Sequence, residues 1–297
     1  ELVLKAVGLV KQGKVATLGK IYAADAPAFG TRSWKLVIPG MPTGGPFGGQ
    51  KLVYNDEYVP TELGQIGSQF DGPGHIGVIT SKGMFYYNGR FLSDKGISAA
   101  GLGPLGVQHV GQKGFVCRGV LLCGGVARGT IADPEREQRF RPRHRHCQGC
   151  RGDGEAPRYR ADWSWRLRVP AHRHGNIWHP KDWDTYDAAE KVKRVAQFNA
   201  GEPGFGISAC EYLAEHKIIL TGADTWAVEA VGKDAGGETP QPFECHIKMQ
   251  TKRGIWNLEN LDLTQLVADK AYEFLFVWSP LKMKGATGSP GNPIALY

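Results

Sequence analysis

The order in which apolar patterns follow one another along the chain is the feature that most constrains its fold. From Leu52 to Tyr87 the apolar residues come in short runs broken by glycine, which is typical of strands, and Asn88-Gly89 predicts a tight hairpin turn. Further along, helical patterns alternate with buried apolar runs such as KIILTG and YEFLFVW. Strands followed by alternating helices and strands predict a mixed α/β domain instead of a helical bundle or a β-sandwich.

Helix positions follow from apolar spacing and from capping signals. Residues 1–20 predict an amphipathic helix that ends near Gly13, and residues 187–198 predict a second helix with one apolar face. Ser208-Ala-Cys-Glu211 has the spacing of a capping box and predicts the start of a third helix. A further helix is predicted from about residue 262 to residue 270.

A long segment rich in glycine and proline, residues 26–49, includes the sequence PGMPTGGPFGG. It could be an irregular surface loop without a role. Loops of this length are usually functional or disordered, so we favour a loop that covers a pocket.

The formal charge of +7 is concentrated in one segment. Residues 134–174 contain eleven arginines, no lysine and five acidic residues, so they carry +6 and leave +1 for the other 256 residues. An arm that binds nucleic acid would mix lysine with arginine and interleave aromatic residues, which this segment does not do. We therefore expect no nucleic-acid partner; a basic nucleic-acid binder is the remaining alternative and requires the arginine-rich segment to be genuine.

The same segment interrupts the alternation of strands and helices, and two interpretations of residues 123–174 stay open. The composition, rich in arginine with abrupt edges, is what a GC-rich gene yields in the wrong reading frame, so the recorded sequence could carry two compensating frameshifts. It could also be a genuine basic loop. The HRHCQGC sequence at 144–150 supplies at most half of a zinc site, since structural zinc needs four ligands. Otherwise residues 1–297 show neither a repeat nor a linker and predict a single domain.

Cellular location can be inferred only from what the chain lacks. There is no run of eighteen apolar residues, so no transmembrane helix and no membrane partner are expected. The first fourteen residues have no continuous apolar stretch of the kind found in signal peptides. Six cysteines are too few for a disulfide scaffold, and we expect a reduced, cytoplasmic protein.

The segment GQIGSQFDGPGH, residues 64–75, is the most informative for function. Its four side chains with oxygen or nitrogen donors are Gln65, Gln69, Asp71 and His75, at spacings of 4, 2 and 4. These spacings place the four on one side of an extended or tightly turned chain, and the glycines allow it to bend. Asp and His are good ligands for Zn²⁺ or Mn²⁺, whereas neutral Gln is a weak one. The alternative is a glycine-rich loop in which Asp71 caps a turn and His75 packs in the core.

This segment resembles the HxGTHxDxPxH signature of the metal-dependent cyclase family, which includes kynurenine formamidases and isatin hydrolases. Glutamine replaces the first two histidines, and QxxxQxDxPxH resembles the branch represented by trans-dienelactone hydrolase. The resemblance continues through residues 206–229 and 279–297 and covers most of the chain outside residues 123–174. It implies one α/β domain with twisted mixed β-structure flanked by helices, and assembly into dimers or tetramers.

The resemblance also implies a metal centre. The residues implied at its two neighbouring metal positions are Gln65, Gln69, Asp71, His75, His246 and Glu259. Two neutral amides supply neither the charge nor the basicity of the imidazoles they replace. We therefore expect a single Zn²⁺ or Mn²⁺ ion, held by the aspartate, the two histidines and the glutamate.

Such an ion polarises a carbonyl group and acidifies its water, so the resemblance implies a hydrolase that opens a small-molecule lactone. An arylformamidase or an isatin-type hydrolase of cyclic amides is the alternative enzyme, and a metal-free binding protein is the alternative without catalysis. His75 and Glu259 are the candidates for proton transfer, while Gln65 or Gln69 could donate an N–H to the developing oxyanion. Asp224 either orients a ligand histidine or caps a turn.

Overall fold

Short helices and strands build the chain, and a computed structural model describes them over residues 1–122, 166–170, 174–178, 183–216, 218–232 and 243–297. The strands are β1 (Val15–Thr17), β2 (Gly44–Phe47), β3 (Leu52–Tyr54), β4 (Gln69–Asp71), β5 (Val78–Thr80), β6 (Gly83–Tyr86), β7 (Arg90–Phe91), β8 (Phe115–Leu122), β9 (Arg166–Pro170), β10 (Gly201–Glu202), β11 (Leu220–Gly222), β12 (Val231–Gly232), β13 (Trp256–Glu259), β14 (Glu273–Trp278), β15 (Gly288–Pro290) and β16 (Ile294–Leu296). The α-helices are α1 (Leu2–Val7), α2 (Gln108–Gly111), α3 (Ala188–Asn199), α4 (Ile207–Glu215), α5 (Glu244–His246) and α6 (Thr264–Ala268). A π-helix, Ile247–Thr251, continues α5, and short 3₁₀ turns lie at Tyr87–Gly89, Gly103–Leu105, His174–Ile177 and Trp183–Thr185.

One mixed sheet organises this part of the chain. Its nine described strands have the order β1-β16-β14-β8-β9-β11-β13-β4-β15. The four strands β8, β9, β11 and β13 pair in parallel, and the strands on either side of them pair antiparallel. The mixed α/β content expected from the sequence is confirmed.

Strand β9 lies within the arginine-rich segment and pairs with both β8 and β11, so this part of the segment belongs to the central sheet. Residues 123–165 and 171–173 lie outside the described residues, and so does the half zinc site proposed at 144–150. Whether the recorded sequence is frameshifted there stays an open prediction. No helix of the described residues is long and apolar enough to cross a membrane.

The described residues contain three groups of buried apolar side chains, and two of them position the site. In the first, Phe70 of β4 packs against Phe115 and Trp278, with ring centroids 5.7 and 4.8 Å apart. In the second, residues of α4 pack against those of α5 and the π-helix, among them Leu213 and Met249. The region that holds His246 is therefore anchored to its own apolar cluster.

Several sequence predictions are confirmed. Helix α3 begins one residue after Asp187, whose side chain accepts a hydrogen bond from the Glu190 N–H at 2.8 Å. Asn88 and Gly89 have φ values of 58° and 73°, as a tight hairpin turn between β6 and β7 requires.

Two helix predictions are wrong. The first helix ends at Val7 instead of near Gly13. Beyond it the chain pairs with its other end, since the Gln12 and Lys14 N–H groups donate to the Tyr297 carbonyl at 3.1 and 3.0 Å and residues 15–17 form β1, which pairs with β16. Ser208 is not a cap, since α4 begins at Ile207 after Gly206 and has no capping side-chain hydrogen bond. In the first case a long-range strand pairing outweighs local helical spacing.

The expectation of a reduced protein is also contradicted, because Cys210 of α4 and Cys245 of α5 form a disulfide. Their Cα atoms are 5.8 Å apart although the residues are 35 positions apart in sequence. Spacing along the chain does not reveal this pair, since it is brought together by the packing of two helices.

The loop expected over residues 26–49 divides into two parts. Its first part lies near the glutamine-rich motif, since Phe29 stacks on Trp226 at 4.4 Å and its N–H donates to the Gln65 carbonyl at 3.3 Å. Its last part forms β2, which pairs with β3 in an exposed two-stranded ribbon. Phe47 in this ribbon is 54% exposed and belongs neither to the core nor to a closed pocket.

We predict that Phe70→Ala lowers the free energy of unfolding by about 3 to 5 kcal/mol, because it leaves a cavity among packed aromatic rings. Ile79→Ala is the control and is expected to change it by no more than about 0.5 kcal/mol, since the Ile79 side chain is 83% exposed and lies outside the core. Urea unfolding followed by tryptophan fluorescence measures both. Equal effects of the two substitutions would contradict the described core.

Candidate metal centre

The register between β4 and β13 brings the motif to its distant partner. Glu259 lies directly opposite Gln69, and Leu258 lies opposite Phe70. Because side chains alternate across a strand, Gln69, Asp71 and Glu259 share one face while Phe70 and Leu258 point to the aromatic core. A shift by one residue would turn the polar set into that core, so burial of Phe70 fixes the register.

Glycines shape the chain around β4 as the sequence suggested. A Cβ atom on Gly67 would lie 2.4 Å from the Tyr22 ring, and one on Gly72 would lie 2.5 Å from the Thr287 carbonyl oxygen. Both positions therefore need glycine for close approach of neighbouring groups. Gln65 itself adopts φ 62°, a left-handed conformation that turns the chain just before the strand.

Three buried side chains form a group able to hold a metal ion: Asp71, His246 and Glu259. Their ligand atoms lie within 4.8 Å of one another, and each residue is at most 3% exposed. The His246 Nε2 atom lies 3.3 Å from Glu259 Oε1 and 3.8 Å from Asp71 Oδ2. Residues far apart in sequence thus converge as the resemblance implied, with the histidine supplied by α5.

Glu229 is a functional residue that sequence reasoning missed. Its carboxylate accepts hydrogen bonds from the backbone N–H groups of Cys245 and His246, and it contacts His246 Nδ1. This contact leaves Nε2 facing the other two carboxylates, which is how a second carboxylate orients a ligand histidine. Asp224, the sequence candidate for this role, instead accepts the Gly175 N–H at 3.4 Å.

Burial and charge shift the protonation of this group. Burial and the nearby charge of Asp71 raise the pKa of Glu259 to about 8. Burial would lower the pKa of His246, but hydrogen bonds and negative charge from Glu229 and Glu259 outweigh it and raise that pKa to about 10. Without a metal ion, protons therefore neutralise part of the negative charge at pH 7.

The two glutamines present their amide N–H groups to the carboxylates. Gln69 Oε1 accepts the Gln65 backbone N–H, so its Nε2 faces Asp71 Oδ1 at 2.9 Å and Glu259 Oε2 at 2.8 Å. Gln65 Nε2 donates to the Trp226 carbonyl at 2.8 Å and also to Glu259 Oε2. The backbone groups fix both amide orientations, and in these orientations the glutamines offer donors beside Glu259.

Glu202, a buried carboxylate outside the metal-binding group, supports the loop that orients Gln65. Glu202 accepts the backbone N–H groups of Trp226 and Ala227, each at 2.6 Å. Burial raises the pKa of Glu202 well above its usual range, although these two hydrogen bonds act in the opposite direction. The loop held in this way supplies the carbonyl that binds the Gln65 amide.

His75 lies at the exposed side of the group. Its Nε2 is 3.5 Å from Asp71 Oδ1, and its side chain is 29% exposed. Of the six site residues named from the sequence it has the greatest exposure, whereas the other five are at most 9% exposed. His75 is therefore the member of the set that a molecule arriving from solvent can reach.

The donor set fits a divalent cation. Two carboxylates and one imidazole, all buried, provide the charge and the ligand atoms that Zn²⁺ and Mn²⁺ take in proteins. Two buried carboxylates also repel one another, as the raised pKa of Glu259 reflects, and a cation between them would remove that repulsion.

We predict that binding of Zn²⁺ or Mn²⁺ to the metal-free protein releases protons and becomes tighter as pH rises from 6 to 8. The raised pKa values mean that folded metal-free protein holds protons on His246 and Glu259 at pH 7, and these leave when a cation takes their place. Affinity should rise about tenfold per pH unit for each proton released. Calorimetry in buffers of different ionisation enthalpy measures the release, and binding without proton release would contradict the described protonation.

Comparison with known proteins places these features in a family. The Cyclase family model matches residues 20–230. None of the curated proteins matches the chain.

Among solved structures the chain is similar to a novel cyclase, with 22% identity over 100% of this chain and 92% of that one and a TM-score of 0.67. It is also similar to isatin hydrolase A from Labrenzia aggregata bound to benzyl benzoate, with 18% identity over 98% and 94% of the two chains and a TM-score of 0.55. Isatin hydrolase A from Ralstonia solanacearum gives 18% identity over 98% and 93%, with a TM-score of 0.54. These likenesses concern the fold. Because the family model covers well over half of the sequence, the chain belongs to the Cyclase family.

Proposed function

We propose that this protein is a hydrolase that uses one divalent metal ion to open a small cyclic ester or cyclic amide. The observation that carries the proposal is the buried group of Asp71, His246 and Glu259. Burying charged carboxylates costs several kcal/mol per ion unless they are paired, so such a group is more often functional than stabilising. Membership of the Cyclase family supports the same proposal.

The ion would be held by Asp71, His246 and Glu259, and we propose a single Zn²⁺ or Mn²⁺ per chain. When bound, the ion supplies a Lewis acid for the substrate carbonyl and lowers the pKa of water. The amides of Gln65 and Gln69 orient Glu259 from the side. Elemental analysis of the purified protein distinguishes zinc from manganese.

His75 is proposed to move the proton, because it lies at the exposed side of the metal-binding group, with its Nε2 3.5 Å from Asp71 Oδ1. An imidazole nitrogen can take a proton from water and return it to the leaving oxygen or nitrogen. Glu259 was the other sequence candidate. It is fully buried and held by His246 and two amides, so we assign it to the ion instead of to proton transfer.

Gln69 is proposed to orient carboxylates rather than to bind an oxyanion. An amide nitrogen carries two hydrogens, and those of Gln69 point to Asp71 and Glu259. This arrangement leaves no N–H for a developing negative charge on the substrate. The oxyanion role expected from the sequence would require Gln69 to release one of these contacts.

The substrate class has two candidates. A lactone is supported by the glutamines at 65 and 69, which resemble the trans-dienelactone hydrolase branch. A cyclic amide is supported by the fold likeness to isatin hydrolases. We propose the lactone, because the paired glutamines belong to the site itself. Assays with an unsaturated lactone and with isatin decide between the two classes. Faster turnover of isatin would reject the lactone in favour of a cyclic amide.

We predict that Asp71→Ala loses at least about tenfold in metal affinity, and activity with it, because a ligand carboxylate is removed from a buried site. Asp94→Asn is the control, since Asp94 lies outside the group and caps the Phe91 N–H. Elemental analysis and hydrolysis assays on the three proteins test this. Full activity in Asp71→Ala would exclude the proposed site.

We further propose that the protein assembles into a dimer or tetramer through the ribbon of β2 and β3. Apolar side chains of this ribbon are open to solvent, including Phe47 at 54%, Leu52 at 59% and Val53 at 52%. An isolated two-stranded ribbon is marginally stable in water, so a second copy would stabilise it by covering these side chains.

Light scattering should therefore give a molar mass of two or four times the 32.4 kDa of one chain. The substitution Val53→Asp should lower the assembled mass, because it places a charge in the apolar contact. The control is Ile79→Asp, at an apolar residue that is 83% exposed and lies outside the ribbon. A monomeric wild-type protein at micromolar concentration would contradict the proposal.

The cytoplasmic location stays a prediction, and the disulfide between Cys210 and Cys245 weighs against it. Disulfides persist mainly in oxidising compartments. The absence of a nucleic-acid partner is likewise a proposal, based on the near-neutral charge outside residues 134–174. The absence of a membrane partner is proposed because the sequence has no run of eighteen apolar residues.

A further inference from the structure

Gln250 is a buried polar residue next to the candidate metal centre. It lies in the π-helix four residues after His246, so the two side chains project from the same side of the helix. It is 2% exposed, and its Nε2 donates a hydrogen bond to Asp71 Oδ2 at 3.2 Å. The sequence motif gave no signal for it, because it belongs to neither the glutamine-rich segment nor the predicted ligand set.

Half of the Gln250 amide is without a partner. Its Oε1 is buried and accepts no hydrogen bond from any described residue. Leaving a buried acceptor unpaired costs about 1 to 3 kcal/mol, and an apolar side chain of similar size would avoid this cost. The stability of the fold therefore does not account for a glutamine at position 250. The hydrogen bond from its amide to Asp71 Oδ2 does.

Asp71 receives one amide donor on each of its oxygens. Gln69 donates to Oδ1 at 2.9 Å and Gln250 donates to Oδ2. The terminal torsion of an aspartate is broad, and the two donors, one from β4 itself and one from the π-helix, together restrict the carboxylate plane. Oδ2 lies 3.8 Å from His246 Nε2, so Gln250 sets the position of an oxygen that faces the imidazole.

We propose that Gln250 is a positioning residue that holds the Asp71 carboxylate in the orientation that binds the metal ion. This inference rests on the proposed function. A neutral amide is suited to the task, because it donates a hydrogen bond without bringing a positive charge near the cation. A lysine or arginine in the same place would also hold Asp71 but would repel the ion.

The test uses Gln250→Met, which keeps the length of the side chain and removes the donor. The affinity of wild type and variant for Zn²⁺ is measured by competition with a chromogenic chelator, and the absorption spectrum of Co²⁺-loaded protein reports ligand geometry. We expect affinity to fall about 10- to 100-fold and the cobalt spectrum to change. The thermal midpoint of the metal-free protein should change little, because removal of the unpaired Oε1 acceptor offsets the hydrogen bond lost at Asp71 Oδ2.

Thr251→Val is the matched control. Thr251 is the next residue of the same π-helix and equally buried, but its hydroxyl donates to the Ile76 carbonyl at 3.1 Å and does not touch Asp71. We expect this variant to lower the thermal midpoint of the metal-free protein and to retain wild-type zinc affinity and cobalt spectrum. If Gln250→Met does not fold, Gln250→Asn replaces it, since the shorter amide cannot reach Asp71, and the same loss of affinity is expected.

The two proposals fail in different ways. Wild-type protein that binds no divalent ion would overturn the proposed function itself. Wild-type binding together with unchanged affinity and spectrum in the Gln250 variant would overturn only the positioning role. Equal loss of affinity in the Gln250 and Thr251 variants would also overturn it, because the effect would then belong to the helix rather than to the amide.

Discussion

Two carboxylates, those of Asp71 and Glu259, are buried beside the imidazole of His246, and the surrounding residues compensate for the cost of burying them. Like charges in the interior repel one another and lose their hydration, at a cost of several kcal/mol for each ion. His246 and the amide donors of Gln65 and Gln69 compensate for part of this cost by hydrogen-bonding to the buried carboxylate oxygens. A divalent cation bound by Asp71, His246 and Glu259 would neutralise the remaining charge. The same three residues therefore account for the proposed metal binding and for the burial of the two carboxylates.

The scaffold holds these groups through pairings that are remote in sequence. Burial of Phe70 sets the register that places Glu259 opposite the motif. Two further buried glutamates act on backbone rather than on substrate: Glu202 holds the loop after residue 224, and Glu229 holds the start of the helix that carries His246. Each fixes two N–H groups, so the site is supported by a framework of hydrogen bonds as well as by apolar packing.

The sequence predicts the local part of this arrangement well and the long-range part poorly. Convergence of residues 65–75 follows from spacing and from glycines, and the mixed α/β fold follows from apolar patterns. His246 was reached only through a family resemblance, and Glu229 was missed because no spacing rule connects it to a histidine 17 residues away. The Cys210–Cys245 disulfide and the short first helix were misjudged for the same reason, since both depend on tertiary pairing.

The most direct test of the central claim is the position and number of metal ions in crystals grown with Zn²⁺ or Mn²⁺, located by anomalous scattering at the absorption edge of the metal. We predict one peak per chain, within bonding distance of Asp71, His246 and Glu259 and with His75 on its solvent side. Two fully occupied ions in the site, or a single ion bound elsewhere, would contradict the account.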